Sequence, residues 1–322
     1  MVDEELLDEL RPGAFAIAYR MLGSVSEAED LVQEALLRFH RAQLEGERIE
    51  SPRAYVSTVV TRLGIDQLRS ARRRRETYVG EWLPEPLLTD DADDPARQAE
   101  MADSLSLAFL VLLESLSPEQ RAVFLLREVF DYPYDEIAEV VGKSEANARQ
   151  LAARARRHVE ERRPRFEATR EQREKLADRF FAAVQDGDVR ALESMLADDV
   201  VLHGDGGGKA PALARALHGA RRVARTLAAW GRQGQRLTGA TVRRVEVNGQ
   251  PGAMILDGED RVISVMALDI ADDRVQGVRS VVNPEKLRHL GPVADLRALL
   301  RRASPARAAP SRGASRPPGT AG

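Results

Sequence analysis

Apolar and polar positions in the first half of the chain repeat with the period of an α-helix. Within residues 26–41, Leu31, Ala35 and Phe39 recur every four residues, which predicts a single buried helix face. Ser26 is the predicted N-cap of this helix, because a hydroxyl residue followed by acidic residues in the first turn favours a helix start.

Ser-Pro pairs predict the starts of two further helices. They occur at residues 51–52 and 117–118, where the serine can cap the helix and the proline can take its first position. The helical period continues after each of them. Two all-α domains are therefore predicted, at residues 1–76 and 104–165.

The segment between these domains, residues 77–103, predicts a linker that docks on another part of the protein. Its stretch EWLPEPLLTDDADDP contains three prolines, which interrupt helices, and many aspartates. Trp82, Leu83, Leu87 and Leu88 are nevertheless apolar, and a fully solvated linker has little use for such side chains.

The pattern changes at about residue 170. Two short helices separated by Gly187 precede alternating segments such as DVVLHGD, GAMILDG and RVISVMALDIA, each bounded by Gly, Asn or Asp. Helices followed by strands predict an α+β domain over residues 170–290. Residues 291–322 are rich in Pro, Ala, Gly, Ser and Arg, which predicts a disordered tail.

A helix-turn-helix is predicted within the second helical domain. The short amphipathic helix YDEIAEVVG ends at a glycine, and Ser144 caps an alanine-rich helix that can pack closely on it. The outer face of this second helix carries side chains of the kinds that contact base edges and phosphates, namely Asn147, Gln150, Arg154 and Arg157. The alternative is a surface helix of a bundle, with arginines that serve solubility.

Composition narrows the classes of function. The net charge of −3 argues against a uniformly basic surface, so any anion-binding surface must be local. Cysteine is absent, and the five histidines lack metal-ligand spacing, so neither zinc nor another cofactor is expected. The longest apolar run, LAFLVLL, is far shorter than the roughly 20 residues of a membrane span. With no signal peptide pattern, these features predict a soluble, cytoplasmic protein without a membrane partner.

Three stretches of the chain together resemble bacterial extracytoplasmic-function (ECF) sigma factors. Residues 26–41 (SEAEDLVQEALLRFHR) are similar to the family's core-binding helix, and residues 51–76 (SPRAYVSTVVTRLGIDQLRSARRRRE) to its −10 element helix. Residues 116–161, which contain the helix-turn-helix, are similar to the domain that reads the −35 element. The resemblance implies a factor that binds the clamp and flap of core RNA polymerase and directs it to promoter DNA.

The resemblance also implies site residues. Contacts to core polymerase are expected from acidic and apolar groups of the first motif: Asp30, Leu31 and Glu34. Contacts near the melted −10 region are expected from five arginines: Arg62, Arg69, Arg72, Arg73 and Arg74. Contacts to the −35 element are expected from Ser144, Asn147, Gln150, Arg154 and Arg157. Asp66 and Arg69, three residues apart, predict an ion pair within the helix, and Arg62 stands where the family often has asparagine.

The segment FFAAVQDGDVRALESMLADDVVLHGDGGGK resembles the SnoaL-like, NTF2-like fold, a curved sheet whose helices enclose a cone-shaped pocket. A SigJ-like subgroup of ECF sigma factors carries such a domain, together with the motifs WLPEP, DGGGK and NPEKL found here, the last with Glu285 where aspartate is common. Interdomain or regulatory roles are therefore expected for Trp82, Leu83, Pro84, Glu85, Pro86, Asp205, Gly206, Gly207, Gly208, Lys209, Asn283, Pro284, Lys286 and Leu287.

The DGGGK motif is not a nucleotide-binding loop. The run from Gly204 to Lys209 is one residue shorter than a P-loop, and Ala210 follows where Ser or Thr is required. One alternative is a plain glycine-rich turn. The other is a close backbone approach, in which Asp205 and Lys209 fix the linker or the sigma domains. The linker would then set the separation of the two DNA-binding domains.

Three functions follow from these observations. The favoured one is a sigma factor regulated in cis by its C-terminal domain. The second is an enzyme, for which His203, Asp205 and His218 are the acid–base candidates, although no spacing singles them out. The third is a ligand-sensing repressor, which would need neither SEAEDLVQE nor a second arginine-rich helix. A small ligand of unidentified chemistry, bound in the cone-shaped pocket, is a further alternative.

Overall fold

The computed structural model describes residues 4–89, 104–161 and 169–303, with the side chains of 71–76, 236–238 and 302–303 outside that description. An all-α part precedes an α+β part, which confirms the predicted fold class. No helix in the described ranges combines the length and apolar character needed to cross a bilayer.

The N-terminal part is built from helices whose starts follow from local capping. The helices are α1 (Glu4–Leu22), α2 (Val25–Leu44), α3 (Pro52–Glu76), α4 (Leu107–Leu113), α5 (Pro118–Glu128), α6 (Tyr134–Val141) and α7 (Glu145–Glu160). The Ser51 Oγ accepts a hydrogen bond from the backbone N–H of Ala54, and Ser117 forms a capping box with Gln120, as the Ser-Pro pairs predict.

The predicted cap of α2 is wrong by two residues. Ser24 is the N-cap, and its Oγ accepts a hydrogen bond from the Glu27 backbone N–H at 3.2 Å. Ser26 lies inside the first turn of α2 instead. The sequence offers two serines at this helix start, separated by Val25, and the acidic first turn suits either of them.

Helices α1–α3 and α4–α7 share one hydrophobic core. Buried residues such as Ile17 and Phe39 belong to the same apolar cluster as Phe124 and Ile137. The two predicted helical domains therefore pack directly on each other in this structure. Helical periodicity identifies the buried face of each helix but does not say what covers it.

Helix α4 is apolar on all sides because it lies between two cores. Phe109 and Leu110 face the helical core, whereas Leu107 and Val111 contact apolar residues of the C-terminal sheet. A helix that is hydrophobic around its whole circumference is buried on every side. This accounts for the longest apolar run of the sequence, LAFLVLL.

The C-terminal part places helices against a six-stranded sheet. The helices are α8 (Arg170–Asp186), α9 (Val189–Met195), α10 (Ala220–Thr238) and α11 (Leu296–Ala303). The strands are β1 (Leu196–Asp205), β2 (Leu217–His218), β3 (Thr241–Val247), β4 (Gln250–Leu256), β5 (Val262–Ala271) and β6 (Arg274–Val281). Their order is β2-β1-β6-β5-β4-β3, with β1 and β6 parallel and all other neighbours antiparallel.

The two faces of this sheet have different coverings. One face, with Leu202, Leu268 and Val278, packs on helices α8, α9 and α10. The other face, with Val265 and Val281, is covered by linker and α4 residues. The C-terminal domain is thereby joined to the helical part through α4 and the linker.

The prediction of a disordered tail is wrong for residues 291–303. The backbone N–H group of Val262 donates to the Pro292 carbonyl, and that of Ala294 donates to the Val262 carbonyl, which pairs this segment with the first residue of β5. Helix α11 then packs on α10 and carries apolar residues in partly buried positions. The composition that signals disorder is concentrated after residue 303, and residues 304–322 lie outside the described part of the chain.

A glycine in α10 tests the packing of the C-terminal helices. A Cβ at Gly231 would clash with the backbone carbonyl of Val184 in α8, whereas one at Gly234 would only touch the Ala240 side chain at 3.5 Å. We expect Gly231→Ala to destabilise the protein by about 1–3 kcal/mol through overpacking. Gly234→Ala is the matched control and is expected to be neutral or up to about 1 kcal/mol more stable, since alanine favours helices. Thermal unfolding of both variants measures this difference in stability. Equal changes in melting temperature would contradict the close approach of Gly231 to the Val184 carbonyl.

Candidate functional site

Asp205, at the end of β1, is the point at which the C-terminal domain binds the linker. Its side chain is fully buried. The Tyr78 hydroxyl donates to Oδ1 at 2.6 Å, the Leu83 backbone N–H donates to Oδ2 at 2.8 Å, and Lys286 Nζ lies 2.7 Å from Oδ2. A buried carboxylate is tolerated when donors and a counter-charge surround it in this way. The DGGGK aspartate therefore fixes the linker.

Lys286 is the buried counter-charge of this carboxylate. Its ammonium also donates to the Leu83 carbonyl and lies 4.4 Å from the Trp82 ring centre and 5.0 Å from that of Tyr78. Burial, together with the nearby Asp205 carboxylate, raises the pKa of the Tyr78 hydroxyl, which stays a hydrogen-bond donor.

The other charged residues of the two motifs meet at the surface. Lys209 forms an ion pair with Glu285, in which both side chains are about half exposed. The lysine of NPEKL, rather than the lysine of DGGGK, is thus the one that fixes the linker. Glu285 in place of aspartate keeps this surface contact within reach of Lys209.

The glycines of DGGGK allow the linker to approach the backbone closely. Gly207 and Gly208 have φ angles of +56° and +68°, and a Cβ at Gly207 would clash with the Asn283 side chain and the Tyr78 hydroxyl. A Cβ at Gly208 would lie 3.1 Å from the Val79 Cβ. Asn283 Nδ2 in turn donates to the Tyr78 hydroxyl at 2.9 Å. This geometry supports the close-approach alternative for the motif.

The remaining predicted residues of the three motifs complete this contact. Leu287 belongs to the same apolar cluster as Leu83, and Pro284 begins a short 3₁₀ helix, Pro284–Lys286. His289 Nε2 lies 2.7 Å from the Pro86 carbonyl, and Pro84 packs beside Gly23. A Cβ at Gly206 would clash with the carbonyl of Ala210 in the same turn.

Glu85 connects the linker to the start of α2. Its Oε2 accepts hydrogen bonds from the backbone N–H groups of Val25 at 2.7 Å and Ser26 at 3.2 Å, and its Oε1 accepts from the Ser24 hydroxyl at 2.8 Å. A carboxylate at a helix N-terminus satisfies free N–H groups and suits the helix dipole. The linker thus contacts the C-terminal domain through Leu83 and the helical part through Glu85.

Asn248, in the β3–β4 turn, is a connecting residue that the sequence reasoning missed. It is fully buried, with a φ of +54°, and its Nδ2 donates to the Tyr19 hydroxyl at 2.7 Å and to the Leu105 carbonyl at 3.0 Å. Its Oδ1 accepts from the Leu87 N–H at 2.9 Å, and its own N–H donates to the Leu87 carbonyl. The Asn-Gly pair signals a hairpin turn, but nothing in the sequence shows that the amide joins three segments.

Helix α7 presents the predicted polar row to solvent. Asn147, Gln150, Arg154 and Arg157 are exposed, while the alanine face is buried. Ser144 is the N-cap, with its Oγ accepting from the Asn147 N–H at 3.3 Å. The alanine face packs α7 on α5 and α6 and leaves the opposite face projecting from the domain.

The predicted core-polymerase residues lie on the surface of α2. Asp30 is exposed, and Leu31 and Glu34 are partly exposed. Glu34 forms an ion pair with Arg38 one turn away at 2.7 Å. This helix therefore presents an acidic and apolar surface of the kind that the resemblance implies.

Two of the arginines predicted to contact the −10 region bind the other helical segment in this structure. Arg62 donates to the carbonyls of Glu139 and Val140 at the end of α6, at 2.9 and 3.0 Å. Arg69 donates to Asp66 at 3.0 Å, which confirms the predicted ion pair, and to Glu119 of α5 at 2.6 Å. The side chains of Arg72, Arg73 and Arg74 lie outside the described residues.

The acid–base candidates do not form a catalytic cluster. His203 Nδ1 lies 3.2 Å from Glu81 of the linker, Asp205 binds Lys286, and His218 is exposed on the edge strand β2. Burial lowers the pKa of His203, and the charge of Arg279 adds to this effect. Each candidate thus serves a different contact.

Comparison with known proteins defines the class of protein first. The family model for Sigma-70 region 2 matches residues 6–74, the model for Sigma-70 region 4 matches residues 106–159, and the SnoaL-like domain model matches residues 177–278. These matches describe a sigma factor with an additional C-terminal domain.

Individual relatives then define the family. The ECF RNA polymerase sigma factor SigJ of Mycobacterium tuberculosis (strain ATCC 25618 / H37Rv) is 41% identical over 288 residues, which cover 87% of this chain and 91% of the relative. The crystal structure of M. tuberculosis SigJ superposes with a TM-score of 0.70 at 38% identity and covers 89% of this chain and 98% of that one. The probable sigma factor SigI of the same species is 36% identical over 182 residues, or 56% of this chain and 62% of the relative. The chain belongs to the ECF RNA polymerase sigma factors.

We expect Asp205→Ala to release the linker. The substitution leaves the Lys286 ammonium buried without its carboxylate, which costs about 3–5 kcal/mol. Limited digestion with chymotrypsin should then cut faster after Tyr78 and Trp82, while the core of the C-terminal domain stays intact. Lys209→Ala is the matched control, because it removes a half-exposed ion pair that is worth at most about 1 kcal/mol. Equal cleavage of the two variants would contradict the assignment of Asp205.

Proposed function

We propose that this chain binds core RNA polymerase and directs it to promoter DNA, and that its C-terminal domain controls this activity through the linker. Its role is that of an initiation factor rather than an enzyme. The observation that carries the proposal is the exposed polar and basic row on α7, which follows Sigma-70 region 2 in a chain similar to SigJ over most of its length.

The pairing of arginines on α7 supports DNA as the partner of this row. Arg149 pairs with Glu145 and lies 4.5 Å from the Tyr134 ring centre, and Arg156 pairs with Glu128. Arg154 and Arg157, which the sequence assigns to DNA, have no ion pair among the described residues. The helix therefore uses some arginines for its own packing and leaves others available for bases and phosphates.

The contacts between α3 and the helix-turn-helix support regulation by opening. The −10 and −35 elements lie about 25 base pairs apart, or about 85 Å of duplex at about 3.4 Å per base pair. Each helical segment has a radius of gyration of only about 11 Å. A protein in which Arg62 of α3 touches the end of α6 cannot contact both elements of straight duplex, so the described arrangement must open.

Two buried cations limit the stability of this closed arrangement. Arg121 of α5 donates to the Arg20 carbonyl of α1 at 2.9 and 3.1 Å and pairs with Glu114. Arg20 donates to the Ala16 carbonyl and the Ser104 hydroxyl, and no carboxylate accepts from it in the described part of the chain. Burial lowers the pKa of Arg20 to about 10 and that of Arg121 to about 9, which reflects the cost of keeping charge away from water.

The proposal also includes a small ligand that binds to the C-terminal domain. The layer between its helices and sheet is filled by buried apolar residues such as Phe180 and Leu227. An apolar ligand is therefore the kind that this layer would admit, and it would act on the linker through β1, which ends at Asp205.

The proposed function predicts different effects for two arginines of one helix. Run-off transcription with core polymerase and the full chain maps a start site that depends on this chain. Arg154→Ala should reduce the use of this site by about 1–3 kcal/mol, or at least about fivefold, through loss of a base or phosphate contact. Arg149→Ala is the matched control and should leave it within about twofold. If the full chain directs polymerase to no start site, the proposed function is wrong.

Arg20→Met tests the closed arrangement. Replacing a buried cation by an apolar side chain of similar length is expected to stabilise the joined helical core by about 1–4 kcal/mol. We expect a higher melting temperature and lower run-off transcription, because opening becomes less favourable. A higher melting temperature with unchanged transcription would contradict the link between opening and activity.

A further inference from the structure

The arginines of the C-terminal domain fall into two groups, which differ in their partners. Most of those on α8, on the sheet and in its turns pair with acids: Arg170 with Glu246, Arg244 with Asp178, Arg261 with Asp257, and Arg279 with Asp269. Arg221, Arg222 and Arg225 of α10 have no ion pair in the described ranges. A high arginine content of the whole chain would not by itself leave the arginines of one helix unpaired while those elsewhere in the domain pair with acids.

The three unpaired arginines form one exposed surface, the α10 arginine face. Residues 220–238 contain no Asp or Glu, and the opposite side of the helix is buried through Val223, Ala224 and Leu227. The apolar side fixes the helix on the domain, so the arginines project from a rigid support. Arg222 and Arg225, three positions apart, are neighbours on the helix surface.

Stability does not explain this face. Arg221 and Arg222 lie in the first turn of α10, where the helix dipole disfavours cations, and like charges at spacings of three and four residues repel. Asp198 and Asp199 are close in the fold, since the Gly219 N–H donates to the Val200 carbonyl, yet no arginine lies within ion-pair distance of them in the described residues. An external anion would relieve this repulsion.

Helix α11 adds two further cations to the domain. It packs on α10 and carries Arg297 and Arg301, both exposed, while Arg297 also donates to the Gly208 carbonyl at 2.6 Å. A row of cations on neighbouring helices suits an extended polyanion better than a single small anion.

We propose that the α10 arginine face binds the phosphate backbone of duplex DNA outside the two promoter elements. This inference rests on the proposed function, which places duplex DNA beside the protein. The contact is independent of sequence, because arginines on phosphates position a protein on DNA without reading bases. The C-terminal domain then contributes to promoter affinity in addition to holding the linker.

The test is the salt dependence of promoter binding by core polymerase with the full chain. The variant R221A/R222A/R225A loses three phosphate contacts, and each contact contributes about 0.9 to the slope of log K against log salt. We expect a slope smaller by about 2–3, with a similar change on a non-promoter duplex of the same length. The charge-conserving variant R221K/R222K/R225K should keep most of the slope. Thermal unfolding confirms that each variant is folded.

The control removes equal charge elsewhere in the same domain. Lys175, Arg179 and Arg243 are exposed on α8 and β3, and their triple alanine variant should leave the slope within about 0.5 of the unsubstituted chain. A slope for the α10 variant equal to that of this control would overturn the inference, provided that the unsubstituted chain still directs transcription. Weaker binding to core polymerase without DNA, at an unchanged DNA slope, would assign the face to an acidic protein surface and would also overturn it.

Discussion

The arrangement of the whole molecule depends on how the buried Asp205–Lys286 pair binds one residue of the linker. The Leu83 N–H donates to the carboxylate, and the Leu83 carbonyl accepts from the ammonium. A proline-rich segment has few backbone donors and cannot build its own helix, so its polar groups need partners elsewhere when it is buried. The next donor along the chain, the Glu85 N–H, finds one in the Gly23 carbonyl at 2.8 Å. Because prolines lack an N–H, residues 83–86 have only the Leu83 and Glu85 N–H groups as backbone donors. The first binds the C-terminal domain and the second binds the helical part.

Because the linker binds both domains, it connects the C-terminal domain to α2, the helix predicted to bind core polymerase. Asp205 and Glu85 are both buried carboxylates, and one holds the linker on the sheet while the other holds it on α2. A partner that pulls α2 away from the linker therefore weakens the same segment that the C-terminal domain binds. Because coupling between two sites is reciprocal, the free energy by which a partner at α2 weakens the contact of the linker with Asp205 equals the free energy by which that contact weakens binding of the partner.

The sequence predicts the local features of this structure and misses several of its connections. Capping by Ser51 and Ser117, the polar row of α7 and the docking of Leu83 follow from spacing and composition, which depend on neighbouring residues alone. The shared core of the two helical segments does not follow, because an apolar face is compatible with any apolar cover. Nor does the choice of Lys286 over Lys209, since both lysines lie in charged motifs and only the fold decides which one is buried. The ordered segment after residue 290 depends on the start of β5, where Val262 lies beyond the end of β6 and can pair with another segment, and no local pattern reveals this.

The closed arrangement and promoter binding draw on the same cations. Arg62 binds carbonyls that end α6, and Arg69 binds Glu119, so the contacts that hold α3 on the helix-turn-helix would compete with phosphates for the same guanidinium groups. The Arg69 contact is exposed and is therefore weakened by salt as DNA contacts are. The apolar join around α4 is not weakened in this way, and it sets the cost of opening together with the buried Arg20 and Arg121. Opening is then governed by burial of apolar surface and of charge, whereas the choice between the closed contacts and DNA is governed by electrostatics.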